Sequence, residues 1–148
     1  MVGNDAAASI SRHPARIASM PRAILQAFVN AINRQSPEEI ASLMTEDHAF
    51  IDSLGTKVVG REAMKKGWKG YFGMVPDYTI TVEETFGEGP VVVMIGTAQG
   101  TYSSGGPAKP ENRWHTPAAW RAVVRGTLIA EWRVYADNEP IRRLIASQ

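Results

Sequence analysis

Cysteine is absent from this chain of 148 residues. That excludes disulfides, thiolate nucleophiles and cysteine-ligated zinc, and it is compatible with a cytoplasmic location. Histidine is scarce: of three residues, His13 lies in the N-terminal stretch, and His48 and His115 have no ligand spacing, so no metal centre is expected. Neither sign of charge is in excess. Sixteen basic and fifteen acidic residues leave a formal net charge of +1, which gives no reason to expect a nucleic-acid or membrane partner. The cluster Lys65, Lys66 and Lys69 is too small for a nucleic-acid footprint and reads as a solvated helix face. No apolar run approaches the roughly 18–20 residues that span a bilayer.

The length fits one domain, able to bury roughly 68–70% of its unfolded surface without staples. Residues 1–20 are rich in alanine, serine and arginine and lack hydrophobic periodicity. Arg12, His13, Pro14 and Arg16 interrupt any apolar segment that a secretory signal would need. Organelle transit peptides share this bias, but a flexible tail is the reading adopted. The folded domain is expected over residues 21–148.

Within it, Leu25, Phe28, Val29 and Ile32 recur at three and four spacings, predicting a helix over 22–34. Ser36-Pro37-Glu38-Glu39 has the form of a capping box opening a second, short helix. His48 to Asp52 reads as a strand, Gly55 to Lys57 as a turn, and Val58-Val59 as a second short strand. A third helix is predicted from Arg61 to about Phe72, weakened by Gly67 and Gly70 at roughly 1 kcal/mol each against alanine. Four strands follow, near 78–86, 91–102, 113–125 and 128–136, with Asn138 set to cap a terminal helix. Three helices, then a long antiparallel meander whose apolar face they can cover, make an α+β domain.

Two strand-end aspartates carry the chemistry. Asp52 follows Phe50 and Ile51 and precedes Gly55; apolar neighbours can push a carboxylate toward a useful basic pKa. Asp137 closes Glu131-Trp132-Arg133-Val134-Tyr135-Ala136-Asp137 and shares strand parity with Ile129, Glu131, Arg133 and Tyr135. So polar a face is either solvent-exposed or the wall of a hydrogen-bonded pocket, and the pocket is the reading adopted. Each aspartate also has a plainer role open to it, Asp52 in its turn and Asp137 at the helix cap.

The order of these pieces resembles the nuclear transport factor 2-like superfamily, which includes ketosteroid isomerases and SnoaL-like polyketide cyclases. The resemblance is carried by 28–33, 43–52, Gly60-Arg61-Glu62-Ala63, Pro76-Asp77-Tyr78 and 129–137, and it spans about 22–145. It implies a cone-shaped barrel in which three N-terminal helices pack on a strongly curved, mixed sheet. It also implies cofactor-free acid–base chemistry of the cyclase or isomerase type on a small hydrophobic carbonyl ligand, and a homodimer formed through the exposed face of the sheet.

Carried over singly, Asp52 takes the place of the isomerases' general base. Their oxyanion-hole tyrosine is replaced by Phe28, and their late-strand acid falls near Ala118 or Ala119. A standard steroid isomerase is therefore not expected. Limonene-epoxide hydrolases of the same fold use an aspartate–arginine–aspartate set; Arg121 and Asp137 match part of it, but Val123 stands at the second aspartate's place. The SnoaL-like cyclases match more evenly, with Asp137 as the acid–base residue and His115 as the pocket histidine, His48 behind it. The expected catalytic set is thus Asp52, Asp137 and His115, and the expected substrate-binding set is Phe28, His48, Trp68, Tyr71, Phe72, Trp120 and Tyr135. A non-catalytic ligand-binding or dimerisation domain of the same fold is the alternative, and an isomerase with a rearranged oxyanion hole is a third possibility.

Overall fold

The computed structural model describes residues 20–148. The expected tail, residues 1–20, lies outside the described residues except for Met20. Helix α1 occupies 20–33 and buries Leu25, Phe28, Val29 and Ile32, the stripe read from the spacing. Helix α2 (Pro37–Ser42) forms half of the expected capping box: the Glu39 amide donates to Ser36 Oγ at 3.2 Å. The Glu39 carboxylate instead accepts from Arg34 at 2.7 Å, because the preceding turn brings a full charge within reach.

Strand β1 (Met44–Ile51) starts four residues before the expected His48. Its early part is drawn into extended form by β6 (Leu128–Ala136): Met44 pairs with Ile129, and the Ile129 amide donates to Leu43 O at 2.7 Å. The short β2 (Lys57–Val59) leads through Gly60 into α3 (Arg61–Met74), which buries Met64, Trp68 and Phe72. Then come β3 (Thr79–Phe86), β4 (Val91–Thr101), a 3-10 turn (Pro110–Asn112), β5 (Arg113–Arg125), β6 and helix α4 (Glu139–Ala146). The architecture is α+β.

The six strands form one curved sheet in the order β2-β1-β6-β5-β4-β3. All neighbours are antiparallel except β1 and β6, whose parallel pairing places Phe50 beside Trp132. The helices cover the inner face, where Trp114, Trp120, Trp132 and Met94 join Leu25, Phe28 and Trp68 in one core.

One expected face is broken. Alternation along β3 puts Tyr78, Ile80, Val82, Glu84 and Phe86 on the same side, but a bulge at Glu83 leaves Val82 opposite Gly96 and Glu84 opposite Ile95. The extra residue reverses the parity beyond it, so Thr85 pairs with buried Met94 and Phe86 turns outward, 53% exposed.

Two glycines of this domain should respond oppositely to alanine. A Cβ on Gly96 would drive into the Thr81 carbonyl beside the bulge, where only backbone movement could relieve it. Gly96→Ala is expected to cost about 3 kcal/mol in urea unfolding. Gly70, inside α3, has open space at its Cβ. Gly70→Ala is expected to raise stability by about 1 kcal/mol in the same assay.

Candidate functional site

Between α3 and the inner sheet face lies a cavity of about 350 Å³, at the lower end of the ligand-pocket range. Its wall is mostly aromatic and aliphatic. Trp68 and Tyr71 come from α3, Phe50 from β1, Tyr78 from the approach to β3, Trp114 from β5, and Trp132, Val134 and Ala136 from β6. Gly67, lacking a side chain, leaves room beside Trp68. Asp52, Ser53, Thr116 and Asn138 add polar groups, and no lysine or arginine contributes to the wall.

Asp52 stands just past β1, half-buried. Its Oδ1 accepts from the Leu54 and Thr56 amides, each at 2.9 Å, so one carboxylate oxygen builds the turn. Its Oδ2 takes no hydrogen bond among the described residues. Beside it, Asn138 Nδ2 donates to Ser53 Oγ at 2.6 Å, tying the start of α4 to the β1–β2 turn.

Tyr78 is held inward by a frame of backbone bonds. Asn33 bonds both ways to Ile80, donating to its carbonyl at 2.9 Å and accepting from its amide at 2.8 Å. Gln35, at φ 51° in the left-handed region, donates to the Tyr78 carbonyl at 2.6 Å. Asp77 accepts from the Thr101 amide and hydroxyl, both at 2.7 Å. The segment entering β3 is therefore anchored from α1 and from β4.

Of the expected catalytic residues, only Asp52 reaches the cavity wall. Asp137 lies outside it and is exposed. Its carboxylate accepts from the Glu139 amide at 2.9 Å, taking over the capping expected of Asn138. The reason is parity: Trp132, Val134 and Ala136 face inward, so Glu131, Arg133, Tyr135 and Asp137 belong to the solvent side. His115 is turned outward in the same way, between inward Trp114 and Thr116. Arg121 also lies on the outer face, paired with Glu131 rather than with any aspartate of the cavity.

Among the expected binding residues, Trp68 and Tyr71 line the cavity and the other five do not. Phe28 is fully buried behind the wall, its ring 5.0 Å from Trp132 and 6.2 Å from His48. Trp120 is core, its ring 6.3 Å from Trp132. Phe72 stacks on Trp68 at 5.5 Å but faces the groove beside Gln35 and Pro37. Tyr135 stands on the outer face under the Arg133 guanidinium at 5.0 Å. Tyr78, Trp114 and Asn138 also line the cavity and are absent from the expected binding set. Strand alternation through Trp114, Thr116, Ala118 and Trp120 was the signal for Trp114, whereas Tyr78 depends on the distant frame of Asn33 and Gln35.

His48 is fully enclosed. Its Nδ1 donates to Ile129 O at 2.8 Å, and its Nε2 has no partner, like the indole Nε1 of Trp68 and of Trp114. Leaving such a group unmet costs about 1–3 kcal/mol. Among the described residues, no three His, Asp or Glu side chains gather as metal ligands.

The family profile for the SnoaL-like domain matches residues 25–137. The chain belongs to that family. Solved structures agree with this SnoaL-like domain in fold. A candidate SnoaL-like polyketide cyclase from Shewanella denitrificans superimposes with a TM-score of 0.74 at 19% identity, over 86% of this chain and 98% of that one. A protein of ketosteroid isomerase-like fold from Catenulispora acidiphila, solved with trimethylamine, gives 0.65 at 21% identity, over 76% and 83% of the two chains. AclR, a candidate hydroxylase from Streptomyces galilaeus, gives 0.69 at 18% identity, over 85% and 81%. No curated protein matches this SnoaL-like domain significantly.

Burial holds the His48 pKa below its usual value, against the opposing pull of the Ile129 carbonyl and the charges of Asp47 and Glu131. The unfolded chain binds this proton near pH 6.5 and the folded chain only at lower pH. The stability this neutral imidazole supports is complete above about pH 6.5 and drains away as pH falls toward the lowered folded value. Urea unfolding at pH 7.5 and 5.5 should show that loss, and His48→Phe, which cannot titrate, should shrink it. Equal pH dependence in the two proteins would assign the loss elsewhere.

Proposed function

We propose that this domain binds a small, mostly apolar carbonyl compound in the cavity and moves a proton with Asp52, using its own side chains alone. The observation that carries the reading is a single carboxylate with one free oxygen on the wall of an otherwise aromatic and aliphatic cavity. Asp52 Oδ2 takes a proton from the carbon next to the carbonyl, breaking that C–H bond and leaving an enolate. In a ring closure the enolate carbon forms a bond to a second carbonyl carbon, and the resulting alkoxide takes the proton back from Asp52. In an isomerisation the proton returns to another carbon of the same enolate. One residue serves as base and then as acid in both, so the exclusion of Asp137 from the cavity leaves either cycle complete.

Apolar walls favour this step by holding the ligand's hydrocarbon body against the carboxylate. The second reading is binding without turnover. It is favoured by the part of Asp52 already committed to its turn.

The partner we propose is a second copy of the chain, seated on the outer sheet face. That face exposes Phe86 (53%), Tyr135 (48%), Val91 (40%) and Ile95 (40%), an apolar patch that water alone would cover poorly. It also holds Arg121 and Glu131 side by side, opposite charges that complement themselves across a two-fold axis. Light scattering should give twice the chain mass, and Ile95→Glu should give a monomer that still unfolds cooperatively. A monomeric parent would remove this partner.

The catalytic reading is tested by proton exchange in heavy water, followed by NMR on cyclic 1,3-diketones and aromatic ketones. The protein should accelerate exchange beside the carbonyl, and Asp52→Asn should lose that acceleration by about 100-fold or more. Ketones that bind without exchanging would favour the second reading.

A further inference from the structure

Tyr71 and Tyr78 meet at the cavity wall with ring centroids 5.0 Å apart and planes at 89°. Trp68 lies 6.5 Å from Tyr71 and 6.3 Å from Tyr78. Within this aromatic cluster the two phenols are the groups able to offer a hydrogen bond to a ligand. Tyr78 is more than nine-tenths buried, and its only hydrogen bonds are made by its backbone. Neither hydroxyl has a partner among the described residues. The enclosed, unpartnered polar atoms are His48 Nε2, Trp68 Nε1 and Trp114 Nε1. Neither phenol oxygen is among these enclosed atoms, and both residues line the cavity.

A buried hydroxyl without a protein partner is costly unless something else meets it. Burial raises the pKa of both phenols, and Tyr71 raises that of Tyr78 further, so both stay protonated donors. With no cation in the wall, neutral donors must accommodate negative charge on a ligand oxygen, and these two phenols lie together in its aromatic part.

We propose that Tyr71 and Tyr78 form the carbonyl-oxygen subsite of this cavity, doing from α3 and the start of β3 what Phe28 and Ala118 are chemically unable to do from α1 and β5. The ligand this selects is a neutral, largely apolar molecule that turns an acceptor oxygen toward the two phenols and an adjacent C–H bond toward Asp52. The proposal rests on the cavity being the ligand site, and it adds direction: oxygen toward the phenols, hydrogen toward the turn after β1. When the enolate forms, its oxygen carries the charge, and two donors already in place stabilise it without reorganising.

The test compares two probes of similar shape, 2-acetonaphthone and 2-ethylnaphthalene, by quenching of tryptophan fluorescence. The ketone is expected to bind about tenfold more tightly than the hydrocarbon, the worth of a well-made hydrogen bond. Its carbonyl stretch should fall in frequency on binding. Tyr71→Phe/Tyr78→Phe should abolish both the preference and the shift while leaving hydrocarbon affinity unchanged, which also shows that the cavity is intact. Hydrocarbon binding with no preference for the ketone, or a preference that survives loss of both hydroxyls, overturns the subsite and leaves the cavity as the ligand site. Failure of both probes to bind the parent protein overturns the cavity reading and the subsite with it.

Discussion

The parallel pairing of β1 with β6 brings the first strand of the chain against the last, and the cavity depends on that closure. Without it, the turn carrying Asp52 would have no fixed relation to Ala136 and Asn138, more than eighty residues away in the chain. The pairing is secured twice. Backbone bonds set Phe50 beside Trp132, and the His48 imidazole adds a bond to Ile129 O from within the core. A buried histidine with one nitrogen unmet is a costly device. Its effect is to hold two strands in one register over the stretch that delivers the carboxylate.

The same closure explains why the cavity can be both apolar and directional. Its walls come from α3 and the inner positions of β5 and β6, where alternate residues must be apolar to pack. Several of its polar groups come from places where regular structure stops, Asp52 and Ser53 after β1, Tyr78 before β3 and Asn138 before α4, while Thr116 and Tyr71 sit within β5 and α3. The wall is greasy where packing demands it, and much of its polarity stands at the ends of elements. That division is common where function sits on loops held by a rigid scaffold.

Much of the fold was legible because its signals are local. The stripe of α1, the Ser36 cap and the succession of four strands depend on neighbours a few residues apart. The bulge at Glu83 was not legible, since an extra residue in β3 shows only against β4. The place of Asp52 on the wall follows from a turn written in its own neighbours. Asp137 was misplaced by one step of parity: the polar row of Glu131, Arg133 and Tyr135 was assigned to a pocket, when the alternate row with Trp132 faces inward. His115 followed the same error beside Trp114. Tyr78 escaped notice because Asn33 and Gln35, more than forty residues earlier, decide where it points.

The alternation along β6 separates two kinds of change. Trp132, Val134 and Ala136 shape what the cavity admits, while Glu131, Arg133 and Tyr135 shape what the outer face meets. Substitutions in one row leave the other untouched, so the interior can be remodelled while the exterior stays constant. Insertion of a single residue in this strand would do the opposite and exchange the two rows beyond it. A substitution in this strand therefore acts on one face, whereas a change in its length acts on both, so the interior and the surroundings answer to different kinds of change.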